Sequence, residues 1–377
     1  INRGTMSFTR YNSHNVTIIN YGTFTTTGWQ NFEGYMENRG TVNLNGYVSL
    51  PSSSEINSYG IFNANNGGTF NGTIDNSGTM KFYGINLNGV LNNYNQMYFY
   101  NSLNVGAGTY VTNDYEAYLE TQNISGIQFN GPMLTNNGTI KVKSNSNSAQ
   151  FKMNQSINQV FNNGLIEVEG DFEQNASNSL LVNNCRIISR DFKIQSGVAK
   201  NNGLISISGS FKNSGTECHL TNGATGRIQG VNFTNSGYVN GSGEFYFTGT
   251  TTNSVNNNSN MFVGTSASEP LRFYDATLAN GYTIFDNLQT SNPWNMPVNT
   301  IYPTSMTPMD TTSFDCSAIP VSGAGFLPNT DTVSRTYCTP PASLNFDLHN
   351  YVSAYDNTCT IQWSTIKLFE YNNPDNT

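Results

Sequence analysis

The sequence predicts an all-β protein: a parallel β-helix, or β-solenoid, of about 18–26 residues per coil, followed by a small β-sandwich module of immunoglobulin-like type. Three observations lead there. The 377 residues include 60 Asn and 35 Gly, so one residue in four favours turns and disfavours helix. A short phrase, Asn-x-Gly, returns along the chain at a spacing near 20 residues. After each copy comes an apolar/polar alternation of period two, the pattern of a strand with one face in and one face out. The 23 Phe, 21 Tyr and 3 Trp argue against disorder, because they supply far more burial area than disordered chains carry.

The phrase opens the sequence as Asn2-Arg3-Gly4-Thr5 and recurs as Asn20-Tyr21-Gly22-Thr23, Asn38-Arg39-Gly40-Thr41, Asn76-Ser77-Gly78-Thr79 and Asn136-Asn137-Gly138-Thr139. Degenerate copies follow at Asn162-Asn163-Gly164, Asn183-Asn184-Cys185, Asn201-Asn202-Gly203 and Asn235-Ser236-Gly237. A sharp corner explains it: Gly accepts positive φ, and stacked Asn side chains hydrogen-bond between coils. At ~4.8 Å per coil, about 13 coils make a rod roughly 60 Å long. Phe151, Phe172, Phe192 and Phe211 recur at coil spacing and predict an aromatic stack, with Lys152, Glu173, Lys193 and Lys212 as the following column. Lys141 and Lys143 are expected opposite Glu167 and Glu169, each 26 residues later.

Proline marks the end of the rod. Residues 1–269 hold Pro51 and Pro132, and residues 270–377 hold the other ten prolines. Proline cannot donate in a ladder, so the coil is expected to stop near Pro270. The expected division is a β-helix over 1–265, a cap and Pro-rich linker over 266–312, and an incomplete immunoglobulin-like module over 313–377. In that module Leu344, Phe346 and Leu348 alternate and Trp363 ends a strand.

Charge and composition exclude some functions. With 16 Lys plus Arg against 24 Asp plus Glu, the net charge is −8, which argues against nucleic acid as the main partner. No apolar run reaches the ~18 residues of a membrane span. Residues Ile1-Asn2-Arg3-Gly4-Thr5 lack a signal-peptide pattern, so an export signal is expected to be removed or to lie outside this sequence. The three histidines, His14, His219 and His349, are scattered and form no catalytic constellation. Glu167, Glu169, Asp171 and Glu173 form the densest acidic run. A calcium or substrate cluster is one reading, and a solvated face paired with Lys141, Lys143 and Lys193 is the favoured one. Calcium-solenoid nonapeptides are missing. The threonine groups Thr23, Thr25, Thr26, Thr27 and Thr250, Thr251, Thr252 are read as ordinary β-surface that does not recur at the coil period. No catalytic residue, metal or cofactor is expected.

Cys185 fills the slot that Gly164 and Gly203 fill in neighbouring coils, and Cys218 lies nearly two coils on, so both are expected to be free thiols. In the tail, Cys338 and Cys359 are the expected bridge of an exported chain, leaving Cys316 over.

The Asn-x-Gly-Thr coils, followed by Cys338-Thr-Pro-Pro, Leu348-His-Asn-Tyr351 and Cys359-Thr-Ile-Gln-Trp363-Ser-Thr-Ile366, resemble the large repetitive cell-surface adhesins of Bacteroidetes-type bacteria. Those include gliding-motility adhesins exported by the type IX secretion system. The resemblance implies an extracellular, cell-surface location and attachment without catalysis. Its implied partners are a surface polysaccharide or glycan, neighbouring immunoglobulin-like modules, and outer-membrane secretion or motility machinery. It further implies O-glycosylation within Asp310-Thr311-Thr312 and Asp331-Thr332-Val333, at Thr311 and Thr332. Tyr83, Tyr98, Tyr100 and Tyr110 are the nominated ligand contacts, since tyrosines bury area while keeping a polar end. The same residues packed in the core, a carbohydrate-active β-helix enzyme and a filament subunit are the competing readings.

Overall fold

A computed structural model describes residues 1–316, apart from positions 10, 29, 102, 156, 216 and 315 and the stretches 123–125, 145–148, 255–261, 278–284 and 289–296. The chain divides into a compact unit, Ile1–Ile319, and a second one, Pro320–Thr377. The Cys338–Cys359 pairing, Thr332 and nearly all of the expected immunoglobulin-like module therefore lie outside the described residues.

The first unit is a parallel β-solenoid of about 12 turns, with no α-helix among the described residues. Three strands per coil build three parallel faces. The first face runs through Thr5–Phe8, Thr23–Thr26, Thr41–Leu44 and Ile61–Ala64 and on through each later coil. The second includes Val48–Leu50, Gly68–Phe70 and Ile85–Leu87, and the third Glu55–Ser58, Thr73–Asn76 and Val90–Asn93. Every second residue points inward, and one hydrophobic core continues from Ile18 to Phe285.

The expected register is observed. Phe151, Phe172, Phe192 and Phe211 stand opposite one another with ring centroids 4.9, 4.9 and 5.6 Å apart and planes within 4°. The stack continues to Phe233 at 5.6 Å. Lys152, Glu173, Lys193 and Lys212 follow as one column. Lys141 faces Glu167 at 2.7 Å. Lys143 departs from expectation: it reaches back to Glu120 at 2.8 Å, and Glu169 instead accepts the Ser144 amide.

The corner asparagines are buried and form a column. Asn2, Asn20, Asn38, Ser58, Asn76, Asn93, Asn113, Asn136, Asn162, Asn183, Asn201 and Asn222 face one another from coil to coil. In the Asn–Asn steps each Nδ2 donates to the next Oδ1 at 2.7–2.9 Å. The same Nδ2 groups also donate to the carbonyl that opens the next first-face strand, as Asn136 does to Leu165 at 3.0 Å. Steps of 17 to 26 residues fit the same column, so the extra residues are absorbed elsewhere in the coil.

The corner glycines have a different cause from the one expected. None of Gly22, Gly40, Gly60, Gly78 or Gly164 is left-handed. A Cβ on Gly40 would lie 2.1 Å from the Gly22 carbonyl oxygen, and one on Gly164 would lie 2.0 Å from that of Gly138. Close approach of the preceding coil, rather than backbone conformation, excludes a side chain. Asn95, Ala117 and Cys185 hold the same slot in other coils, and the amides that follow them lie 3.2, 2.7 and 3.1 Å from the carbonyl below, so individual coils admit a side chain without a uniform change in spacing. The threonine groups do not recur as arrays: Thr23 lies between Thr5 and Thr41, but Thr25 and Thr26 face Asn43 and Leu44, and Thr41 is followed by Ile61.

Parallel pairing passes residue 265 through Leu271–Asp275 and Thr300–Ile301. The chain then returns along the outside of the first face. Thr307 and Thr311 carbonyls accept from Arg227 and Arg186, and Met309 exchanges two hydrogen bonds with Gln229. This strap ends in a disulfide from Cys316 to Cys185, Cα–Cα 5.0 Å. The expectation that Cys185 is a free thiol is thus corrected. The axial distance excludes Cys218 as the partner of Cys185, but the returning strap carries a third cysteine, Cys316, back to the corner. Cys218 is free and buried, its thiol pushed up to about 11 chiefly by burial.

Candidate functional site

The outward side chains of the three faces and their corners are what the rod offers to a ligand. Of the acidic run, Glu167 pairs with Lys141 on the first face, Glu169 accepts the Ser144 amide, and Asp171 and Glu173 on the second face share an ion-pair network. Asp171 is held by Arg190 and Lys193, each at 2.5 Å, and Glu173 by Lys193 at 3.2 Å and Lys152 at 3.3 Å. Burial alone would raise both carboxyls, but the hydrogen bonds from Lys193, joined by Arg190 at Asp171 and Asn175 at Glu173, outweigh it and hold both below the usual carboxylate range. Lys193 is shifted upward: burial opposes this, and its bonds to Asp171 and Glu173 win. Among the described residues no group of three or more His, Cys, Asp or Glu is placed to hold a metal. No helix among them is long and apolar enough to cross a membrane.

A pH dependence follows from these shifts. Both carboxylates bind protons more readily in the unfolded chain, so their contribution is present above the ordinary carboxylate pKa of ~4 and is lost as pH falls through the lower folded values. The Lys193 contribution is lost at the opposite end, as pH rises through its raised value. Thermal melts of the protein from pH 2 to 7 are expected to show Tm falling below about pH 4, with a shallower fall in Asp171→Asn. An equal fall in the variant would remove Asp171 from the account.

The nominated tyrosines do not form one site. Tyr83 and Tyr100 follow Phe82 and Phe99 at the corner after the first face, in neighbouring coils, and are 58% and 40% exposed. Tyr98 lies on the first face between Lys81 and Glu120, its ring 5.8 Å from that of Tyr118. Tyr110 stands on the third face between Val90 and Met133. None of the four is in the core, and at most two share a place. Thr311 is half-buried in the strap, its carbonyl bonded to Arg186.

A set that sequence reading missed is at the corner of the Asn column. The residue after each buried Asn donates its amide to the Asn carbonyl of the preceding coil, which fixes a second column: Tyr21, Arg39, Tyr59, Ser77, Tyr94, Asp114, Asn137, Asn163, Asn184 and Asn202. In the later coils this column is tied together: Asn163 donates to Asn137, Asn184 to Asn163 and Asn202 to Asn184 at 2.8–2.9 Å. In the earlier coils it is aromatic at every second step. Tyr21, Tyr59 and Tyr94 are 50%, 53% and 47% exposed. Arg39 lies between two of them, its guanidinium 5.0 Å over the Tyr59 ring and its Nε on Glu37. Burial, with Asp75 and Asp114 nearby, raises the Tyr94 hydroxyl, so it remains a neutral donor at physiological pH. The signal was present in the sequence only in part: Tyr21 is the x of Asn20-Tyr21-Gly22, whereas Tyr59 and Tyr94 stand in the altered phrases Ser58-Tyr59-Gly60 and Asn93-Tyr94-Asn95.

Inside the rod, Phe24, Thr26, Gln30, Phe32 and Met36 help line a cavity of about 10 Å³, on the scale of a single water. Its accessible lining is wholly apolar and its size is below that of a ligand, so it is a packing void rather than a site.

Compared with known proteins, the chain matches no family model, no curated protein and no solved structure.

Proposed function

We propose that this chain is a non-catalytic segment of an extracellular, bacterial cell-surface adhesin, a stiff rod that attaches to surfaces or glycans. The observation that carries the proposal is the corner column. Its earlier coils keep tyrosine rings half in solvent, where the later coils of the same rod use hydrogen-bonded asparagines. The charged cluster most suited to acid–base chemistry is ion-paired, and its carboxyls are shifted away from the raised pKa that a general acid needs. The resemblance of the tail motifs to type IX-exported adhesins supports surface display, with further immunoglobulin-like modules and the secretion or motility machinery as partners. It also supports O-glycosylation at Thr311 and Thr332.

The test is to immobilise the purified chain, pass a panel of soluble and particulate polysaccharides over it, and measure retention and product release together. Retention without soluble product is expected. Release of oligosaccharides would overturn the non-catalytic reading. No retention, with concentration-dependent self-association in sedimentation, would replace it with a filament subunit.

A further inference from the structure

We propose that Tyr21, Tyr59 and Tyr94 form a binding strip for an extended, neutral β-1,4-linked polysaccharide that lies along the rod axis. This rests on the adhesin reading and assigns it a site and a ligand class.

The three rings stand in one column at every second coil, Tyr21 to Tyr59 and Tyr59 to Tyr94, with Arg39 and Ser77 between. Two coil steps span roughly 10 Å, the scale of one disaccharide in an extended β-1,4-linked chain. Tyrosine suits the task because a pyranose offers an apolar C–H face to the ring while the phenol keeps a hydrogen bond. At Tyr59 the Arg39 guanidinium covers one face at 5.0 Å, which leaves the opposite face and the ring edge for the sugar. The residues between the rings are polar. The Arg39 guanidinium has donors beyond the Nε–H given to Glu37, and Ser77 is exposed. The rings can thus meet every second sugar while the polar groups between them reach the equatorial hydroxyls.

Charge selects a neutral chain over a polyanion. Arg39 is offset by Glu37 at 2.5 Å, and Asp114 follows Tyr94 one coil further along the column. A repeating ligand is favoured because the surface is itself periodic. The tyrosines are not needed to hold the coils together: the buried Asn column and the backbone ladder make that joint in coils with and without them.

The experiment measures depletion isotherms of the full chain on two insoluble probes, β-1,4-glucan and β-1,4-linked poly-N-acetylglucosamine. Wild type is compared with Tyr21→Ala/Tyr59→Ala/Tyr94→Ala, with Tyr83→Ala/Tyr100→Ala, and with Tyr59→Ser/Ser77→Tyr. The last variant keeps three tyrosines but breaks the two-coil spacing. Melting curves confirm that each variant is folded. Wild type is expected to bind at least one probe, the triple variant to lose at least about tenfold in affinity, the Tyr83/Tyr100 variant to stay within about twofold, and the displaced variant to fall with the triple.

Binding that survives the triple substitution would overturn the strip while leaving the adhesin reading intact. Binding retained by the displaced variant would overturn the spacing. Retention only on polysaccharides other than the two probes would overturn the ligand class, and retention on none would overturn the adhesin reading itself.

Discussion

Reducing the Cys185–Cys316 bridge, or replacing Cys185 by Ser, is expected to loosen the strap and destabilise the C-terminal coils while leaving the N-terminal ones unchanged. The bridge joins residues 131 apart. The chain-entropy relation assigns a loop of that length about 5 kcal/mol. The figure is an upper value here, because a solenoid unfolds in units smaller than the whole chain. The strap keeps its bonds from Arg186, Arg227 and Gln229, so loss of the covalent tie leaves it weakly docked rather than displaced. Hydrogen exchange read by mass spectrometry is the check. Faster exchange is expected in 302–314 and in the coils from Arg186 to Ile301, and little change in Thr23–Lys143. Uniform acceleration, or none, would contradict this.

Gly164→Val is expected to cost about 3 kcal/mol or more, the upper part of the range for overpacking a rigid contact. A Cβ there meets the Gly138 oxygen at 2.0 Å and the Asn137 carbonyl carbon at 2.8 Å, all backbone that cannot rotate away. The cost is bounded because the slot does admit Asn95, Ala117 and Cys185 in other coils, none of them β-branched. Gly4→Val is the control. Gly4 occupies the same slot, yet its Cβ would meet nothing within 4 Å, so its melting temperature is expected to change little. Equal losses in the two variants would return the glycines to a conformational role.

These two cases show which parts of the structure could be read from residue order. Strand alternation and the repeated phrase depend on neighbours in sequence, so the coil, the Phe151–Phe211 stack and the Lys141–Glu167 pair were legible. The reason for the corner glycines was not, because the atom that excludes a side chain belongs to the coil below. The disulfide was hidden for a similar reason: the strap that delivers Cys316 to Cys185 has no periodicity to follow. Pro270 misled as a boundary because it sits immediately before the strand Leu271–Asp275, where proline is tolerated. The tyrosine column was visible only in part, at the variable position of the phrase, and it becomes a surface only when the phrases are stacked.

The ladder, the strap and the proposed strip all require that residues one phrase apart stand in one column, one coil apart. Electron–electron distance measurement between spin labels at Ser77→Cys and Asn202→Cys, in a Cys338→Ser/Cys359→Ser background, tests this directly, with the Cys185–Cys316 bridge intact and Cys218 buried. The two positions are six coil steps apart through Tyr94, Asp114, Asn137, Asn163 and Asn184. A single narrow distribution centred on roughly 29 Å is expected. A broad distribution, or a mean displaced by two coil steps or roughly 10 Å, would contradict the register on which the account stands.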